Sequence, residues 1–121
     1  MSRDVTKLRV FKLADELLMR LYPAVSTLPA GERYGLQSQM RRAALSVAVN
    51  IVEGSARRTL REYVSFLSVA SASAAEVVYL LSVTRRLGYV DATVATDLET
   101  RYRELLKSLR ALQRELGNLR D

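Results

Sequence analysis

Apolar residues recur at three- and four-residue steps along most of this chain, the period of one helix face. Leu8, Phe11, Ala14, Leu18, Leu21 and Val25 form the first stripe, with Lys12, Asp15, Glu16 and Arg20 between them. The pattern predicts an amphipathic helix that stops near Thr27, because Pro29 disfavours helix at Leu28. A second helix is predicted from about Glu32–Gly35, with Leu36, Met40, Ala43, Val47 and Ile51 inward. Gly54, which tolerates a left-handed backbone, is expected to end it.

The third helix opens on Thr59-Leu-Arg-Glu62, a capping box, and runs to Leu87, with Gly88 just beyond. Between Tyr63 and Thr84 its only charged residue is Glu76. Asp91 caps a fourth helix. There Leu98, Tyr102, Leu105, Leu109, Leu112, Leu116 and Leu119 alternate steps of four and three, the 3.5-residue repeat of left-handed bundle packing. Asp97 with Arg101 and Glu99 with Arg103 form i,i+4 pairs on this helix. Connections near residues 28–31, 55–58 and 88–90 are short, which makes successive helices antiparallel neighbours. The expectation is an all-α, up-down-up-down antiparallel four-helix bundle filling residues 1–121 as a single domain.

Helix 3 does not fit an isolated bundle. Its apolar residues point in every direction, and the second half of helix 2 behaves likewise. Leaving such a surface wet costs about 25 cal/mol per Å² of apolar area. A second buried face supplied by another subunit relieves that cost, so a homo-oligomer is expected. The stretch 63–84 is long enough to span a membrane. Its five Ser, its Thr and the central Glu76 argue against a span, as does the strongly amphipathic helix 4, so no membrane partner is expected.

Composition removes whole classes of chemistry. The 121 residues include no Cys and no His. Disulfides, thiol nucleophiles, zinc ribbons, Ser-His-Asp triads and Glu-x-x-His metal sites are therefore excluded, and no cofactor, metal or small-molecule substrate is expected. The N-terminal Met-Ser-Arg-Asp-Val-Thr-Lys lacks an apolar signal core, which predicts a cytoplasmic protein. Net charge is +6, carried mainly by 16 Arg against 3 Lys, which points to a polyanionic partner.

Helix polarity sorts these arginines to the two ends of the bundle. Arg33, Arg41, Arg42, Arg85 and Arg86 fall towards one end; Arg57, Arg58 and Arg61 fall towards the other, with Arg3, Lys7 and Arg9. Of these, Arg41, Arg42, Arg57, Arg58, Arg61, Arg85 and Arg86 are the candidate phosphate-binding residues. The competing interpretation is solvated arginine partly paired with Glu32, Glu53 and Glu62. Asn50 and Glu53, one turn apart in an apolar stretch, are expected to be a buried polar pair that fixes register. Glu76 is expected to pair with an arginine on a neighbouring helix. Tyr34 and Tyr89, beside arginines, are the candidates to stack on bases, although sealing the loop ends is the favoured reading of both; Tyr63, Tyr79 and Tyr102 are assigned to apolar positions.

The stretch 32–58, containing Arg41-Arg-Ala-Ala44 and Asn50-Ile-Val-Glu-Gly-Ser-Ala-Arg-Arg58, then Glu62-Tyr-Val-Ser-Phe-Leu67 and Arg85-Arg-Leu-Gly-Tyr89, resembles a known family. These are the bacterial four-helix bundle proteins encoded in intervening sequences of 23S rRNA genes, also labelled S23 ribosomal proteins. The resemblance runs from about Leu8 to Leu109. It implies a four-helix bundle and a ring of five subunits. It also implies kinship with retroelement accessory proteins that bind nucleic acid together with a reverse transcriptase. The expected function is a non-enzymatic oligomer that binds RNA or DNA through arginine–phosphate contacts. The alternative is a scaffold that binds an acidic protein.

Overall fold

In the computed structural model, residues 4–5 and 8–119 are described, so Arg3 and Lys7 lie outside them. Four helices follow in order: α1 (Arg9–Val25), α2 (Leu36–Ser55), α3 (Leu60–Arg86) and α4 (Ala92–Gly117), with a 3-10 turn at Ala30–Glu32. The described residues contain no strand. Neighbours in sequence pack side by side, and α1 closes the array against α4. This is the antiparallel four-helix bundle that the apolar periodicity predicts.

Several helix ends have a local chemical cause. The Thr59 hydroxyl accepts from the Glu62 N–H at 3.1 Å, which starts α3. Asp91 Oδ1 accepts from the N–H groups of Thr93 (3.0 Å) and Val94 (3.2 Å), which starts α4. At the end of α3, Gly88 takes φ 73°. Its N–H reaches the Arg85 carbonyl at 3.1 Å, and the Tyr89 N–H reaches the Thr84 carbonyl at 2.9 Å. Those two bonds are a Schellman motif, and glycine is needed there for the left-handed backbone. Helix α1 has no such glycine. Its last carbonyls are served by side chains: Ser26 Oγ donates to Pro23, Thr27 Oγ1 to Ala24 and Gln37 Nε2 to Val25.

Two expectations need correction. The first connection is ten residues, 26–35, because α1 ends at Val25 and α2 begins only at Leu36 after the 3-10 turn. Gly54 does not end α2. It lies inside the helix, where a Cβ would stand 2.9 Å from Phe66 Cβ and 3.1 Å from Tyr63 Cδ1. Its role is close approach of α2 to α3, which ordinary side chains would prevent.

The core is continuous from end to end. Leu17, Leu21 and Val25 of α1 meet Met40, Val47 and Ile51 of α2, Leu67, Ala74, Val77 and Leu81 of α3, and Leu98, Leu105 and Leu109 of α4. Val10 and Leu17 join the α1 stripe, while Leu8 and Phe11 are only partly covered. On α4 the apolar repeat is buried from Leu98 to Leu109 and at Leu116; Leu119 is exposed.

Candidate functional site

Three surfaces carry unusual chemistry, and the fold positions each. The first is a hollow of about 280 Å³ between the end of α1 and the start of α2. Tyr22, Arg33, Tyr34, Gln37, Ser38, Arg41, Arg42 and Leu45 line it, with no carboxylate among the described residues of its wall. The Arg41 guanidinium lies 5.1 Å from the centre of the Tyr22 ring, and Arg33 lies 5.5 Å from that of Tyr34. These are cation–π distances. Arg41 Nε is buried without a hydrogen-bond partner among the described residues. Glu32, the nearby acid, turns instead to the start of α2, where its Oε1 accepts from the Leu36 N–H at 3.4 Å. Three guanidiniums with no carboxylate among the described residues of the wall suit the oxygens of an anion. Tyr34 is 87% exposed and can stack.

The second surface is the groove between α3 and α4, about 420 Å³, lined by Ala75, Val78 and Leu106 below and Arg103, Lys107, Arg110 and Arg114 along one side. The cations repeat at steps of four, three and four, so they stand in one row on α4. Across ~1.5 Å per residue the row is roughly 16 Å long. Lys107, Arg110 and Arg114 have no ion-pair partner among the described residues.

The third is the outer side of α2 and α3. Leu45, Val49, Val52, Val69 and Tyr79 are exposed there, and Ala72 and Glu76 lie among them. Nine residues of α3 are buried inward, while Val69, Ala72 and Tyr79 of its apolar remainder are exposed. By length and composition alone α3 could cross a membrane, with a window of mean hydropathy 1.7, of which 39% is buried inside the bundle.

A hollow of about 550 Å³ between α1 and α4 offers less. Its charges are mixed: Glu16 and Glu104 share Arg101, at 3.7 Å and 3.5 Å, while Arg9, Lys12 and Lys107 also line it. Arg20 and Asp97 pair across the same two helices. No group of three or more His, Cys, Asp or Glu side chains placed to hold a metal occurs among the described residues.

The predicted arginines separate into different roles. Arg41 and Arg42 meet in the first hollow, with Arg33. Arg57, Arg58 and Arg61 gather at the α2–α3 turn, roughly 22 Å further along α2 at ~1.5 Å per residue. There Arg57 lies 4.5 Å over the Phe66 ring. Arg85 is diverted inward: its Nε donates to Glu99 Oε2 at 2.8 Å. That hydrogen bond, then the charge of Glu99, raise the pKa of Arg85 further above its ordinary value. Arg86 stays exposed and donates from Nε to the Ser82 carbonyl at 3.3 Å.

The structural acids differ from expectation. Glu99, which sequence spacing places in a surface pair, is the buried one, only 3% exposed and also 3.9 Å from Arg103. Glu76 is exposed and has no ion pair among the described residues, so the expected arginine partner is not found there. Asn50 and Glu53 are not a buried pair. Asn50 Nδ2 donates to the Ser46 carbonyl (2.8 Å) and hydroxyl (3.0 Å), and that hydroxyl meets Ser73 Oγ at 2.8 Å. Glu53 is exposed. Among tyrosines, Tyr63 and Tyr102 are buried, Tyr79 is 63% exposed, and Tyr89 is half-buried against the core.

Sequence inspection missed Tyr22 and the row on α4. The row had a visible signal, the four-three-four spacing of its cations. Tyr22 had none, since only tertiary packing brings α1 beside Arg41.

A family profile described as "23S rRNA-intervening sequence protein" matches residues 6–111. A crystal structure of a protein of unknown function from the S23 ribosomal protein family, from Bacteroides thetaiotaomicron, superposes with a TM-score of 0.77. It shares 20% sequence identity, and the match covers 86% of this chain and 97% of that one, a likeness of fold. No curated protein matches the chain.

Proposed function

This chain belongs to the 23S rRNA-intervening sequence protein family, and we propose that it is a non-enzymatic, self-associating cytoplasmic protein that binds RNA or DNA. The observation that carries this is the carboxylate-free hollow of Arg33, Arg41 and Arg42 beside Tyr22 and Tyr34. Phosphate oxygens can meet the exposed guanidiniums of Arg33 and Arg42, and the exposed Tyr34 gives bases a face to lie on. Contacts to phosphate carry no sequence information of their own, so sequence preference is weak. Arg57, Arg58 and Arg61 add a second basic area at the far end. The apolar outer side of α2 and α3 supports self-association, because a second copy would remove it from water. Assembly, into five subunits as the resemblance implies, multiplies each hollow around a common axis and raises avidity. The absence of His and Cys supports binding rather than catalysis.

Filter binding to single-stranded RNA and to duplex DNA across a salt series tests the reading. Affinity should fall steeply as salt rises, and Arg41→Ala/Arg42→Ala should flatten the slope by about one for each guanidinium–phosphate pair removed. Salt-independent affinity, or no binding near ~50 mM salt, would overturn it.

A further inference from the structure

Among the described residues Tyr34 is the most exposed large apolar or aromatic side chain, and at 87% exposure it seals no loop end and adds nothing to the core. The backbone on both sides of it is nonetheless pinned. The Arg33 N–H donates to the Ala30 carbonyl at 3.2 Å, the Gly35 N–H to the Glu32 carbonyl at 3.1 Å and the Gln39 N–H to the Gly35 carbonyl at 3.0 Å. A fixed turn therefore holds an aromatic ring out in water. The Arg33 guanidinium, 5.5 Å from the ring centre, takes one face and leaves the other open. Arg33 and Arg42 are exposed, with no ion pair among the described residues. Ser38 and Arg42, four residues apart on one face of α2, line the same hollow as Tyr34.

We propose that this hollow takes an unpaired nucleotide, so that the protein selects single-stranded nucleic acid over duplex: a base lies on the open face of Tyr34 while the phosphates of its strand meet Arg33 and Arg42. This rests on the nucleic-acid reading above and names the substrate class of that site. In a duplex every internal base is covered on both faces by its neighbours. Bringing one onto Tyr34 means flipping it out, at the cost of unstacking and unpairing. An unpaired strand offers a planar face and phosphate oxygens together, with no such cost. Guanidinium–phosphate contacts are available to both forms and cannot tell them apart. The discrimination therefore lies in Tyr34, and the pinned turn spares the ring the entropy of being ordered on binding.

The test measures binding by the full chain, freed of nucleic acid, to a single-stranded RNA without self-complementarity and to the same sequence as a long blunt duplex. The wild type should hold the strand more tightly per site. Tyr34→Ala, at an exposed position, should keep the wild-type circular dichroism. It should weaken the strand complex by roughly 5- to 150-fold, the range for one stacked base, and leave the duplex complex unchanged. Its slope of affinity against salt should match the wild type, because no phosphate contact is lost. Tyr34→Phe should keep the preference, since the ring does the stacking. The chain has no Trp, so Tyr34→Trp carries a sole indole, whose emission the strand should quench and the duplex should not. No binding of either form near ~50 mM salt overturns the nucleic-acid reading and this selectivity with it. Equal affinity for strand and duplex overturns the selectivity alone. So does a Tyr34→Ala variant that binds the strand as the wild type does, or that loses both forms alike.

Discussion

The two seams of α3 are built from different materials. Against α2, the helices are drawn together by small groups: Gly54 under Phe66, and the Ser46–Ser73 hydroxyl pair joined by Asn50. Against α4, they are joined by a buried charge, Glu99 held by Arg85, and by Ser71 Oγ donating to Gln113 Oε1 at 2.7 Å. A close-approach seam depends on what is absent and tolerates no added atom. A charged seam depends on partners and tolerates no deletion. The two seams should therefore fail under opposite kinds of substitution.

The largest effect is expected on the charged side. Arg85→Met leaves the Glu99 carboxylate buried with only the more distant Arg103, and should cost about 2–4 kcal/mol in urea unfolding. The figure sits at the lower part of the usual range because Arg85 is 37% exposed and partly screened by water. Adding Glu99→Leu should recover most of the loss. If Arg85→Met costs under about 0.5 kcal/mol, the ion pair does not hold this seam.

Gly54→Ala comes next. Helix propensity would favour alanine by about 1 kcal/mol, but the new methyl meets Phe66 Cβ, which cannot swing away without moving α3. A net loss of about 1–2 kcal/mol is expected, and a gain in Tm would show that the helices separate freely.

Tyr102→Phe should be the mildest change. The Tyr102 hydroxyl is buried with no hydrogen-bond partner among the described residues, and burial pushes its pKa well above the usual phenol value. Removing it should leave stability within about 1 kcal/mol of wild type, with a small gain favoured. A loss above ~2 kcal/mol would mean the hydroxyl makes a bond in solution.

The helices were legible because their periodicity is one-dimensional: a stripe at three- and four-residue steps needs no knowledge of partners. The capping residues Thr59, Asp91 and Gly88 were legible for the same reason. Glu99 was not, because its i,i+4 arginine looks the same on a wet face as on a buried one. Gly54 was misjudged because a glycine near a helix end fits a terminator, and only the position of α3 shows what a side chain would strike. The arginine doublets were visible as charge. Which guanidinium turns inward, as Arg85 does, and which stays open, as Arg42 does, depends on where an acid from another helix happens to lie.

The connections at 56–59 and 87–91 are only four and five residues long. They keep most native pairings local in sequence and loop-closure entropy small. A bundle wired this way belongs with rapid folders, on the microsecond-to-millisecond scale. The α1–α2 hairpin can zip while the rest of the polypeptide is still being made, so the bundle grows by adding each later helix to a neighbour already in place.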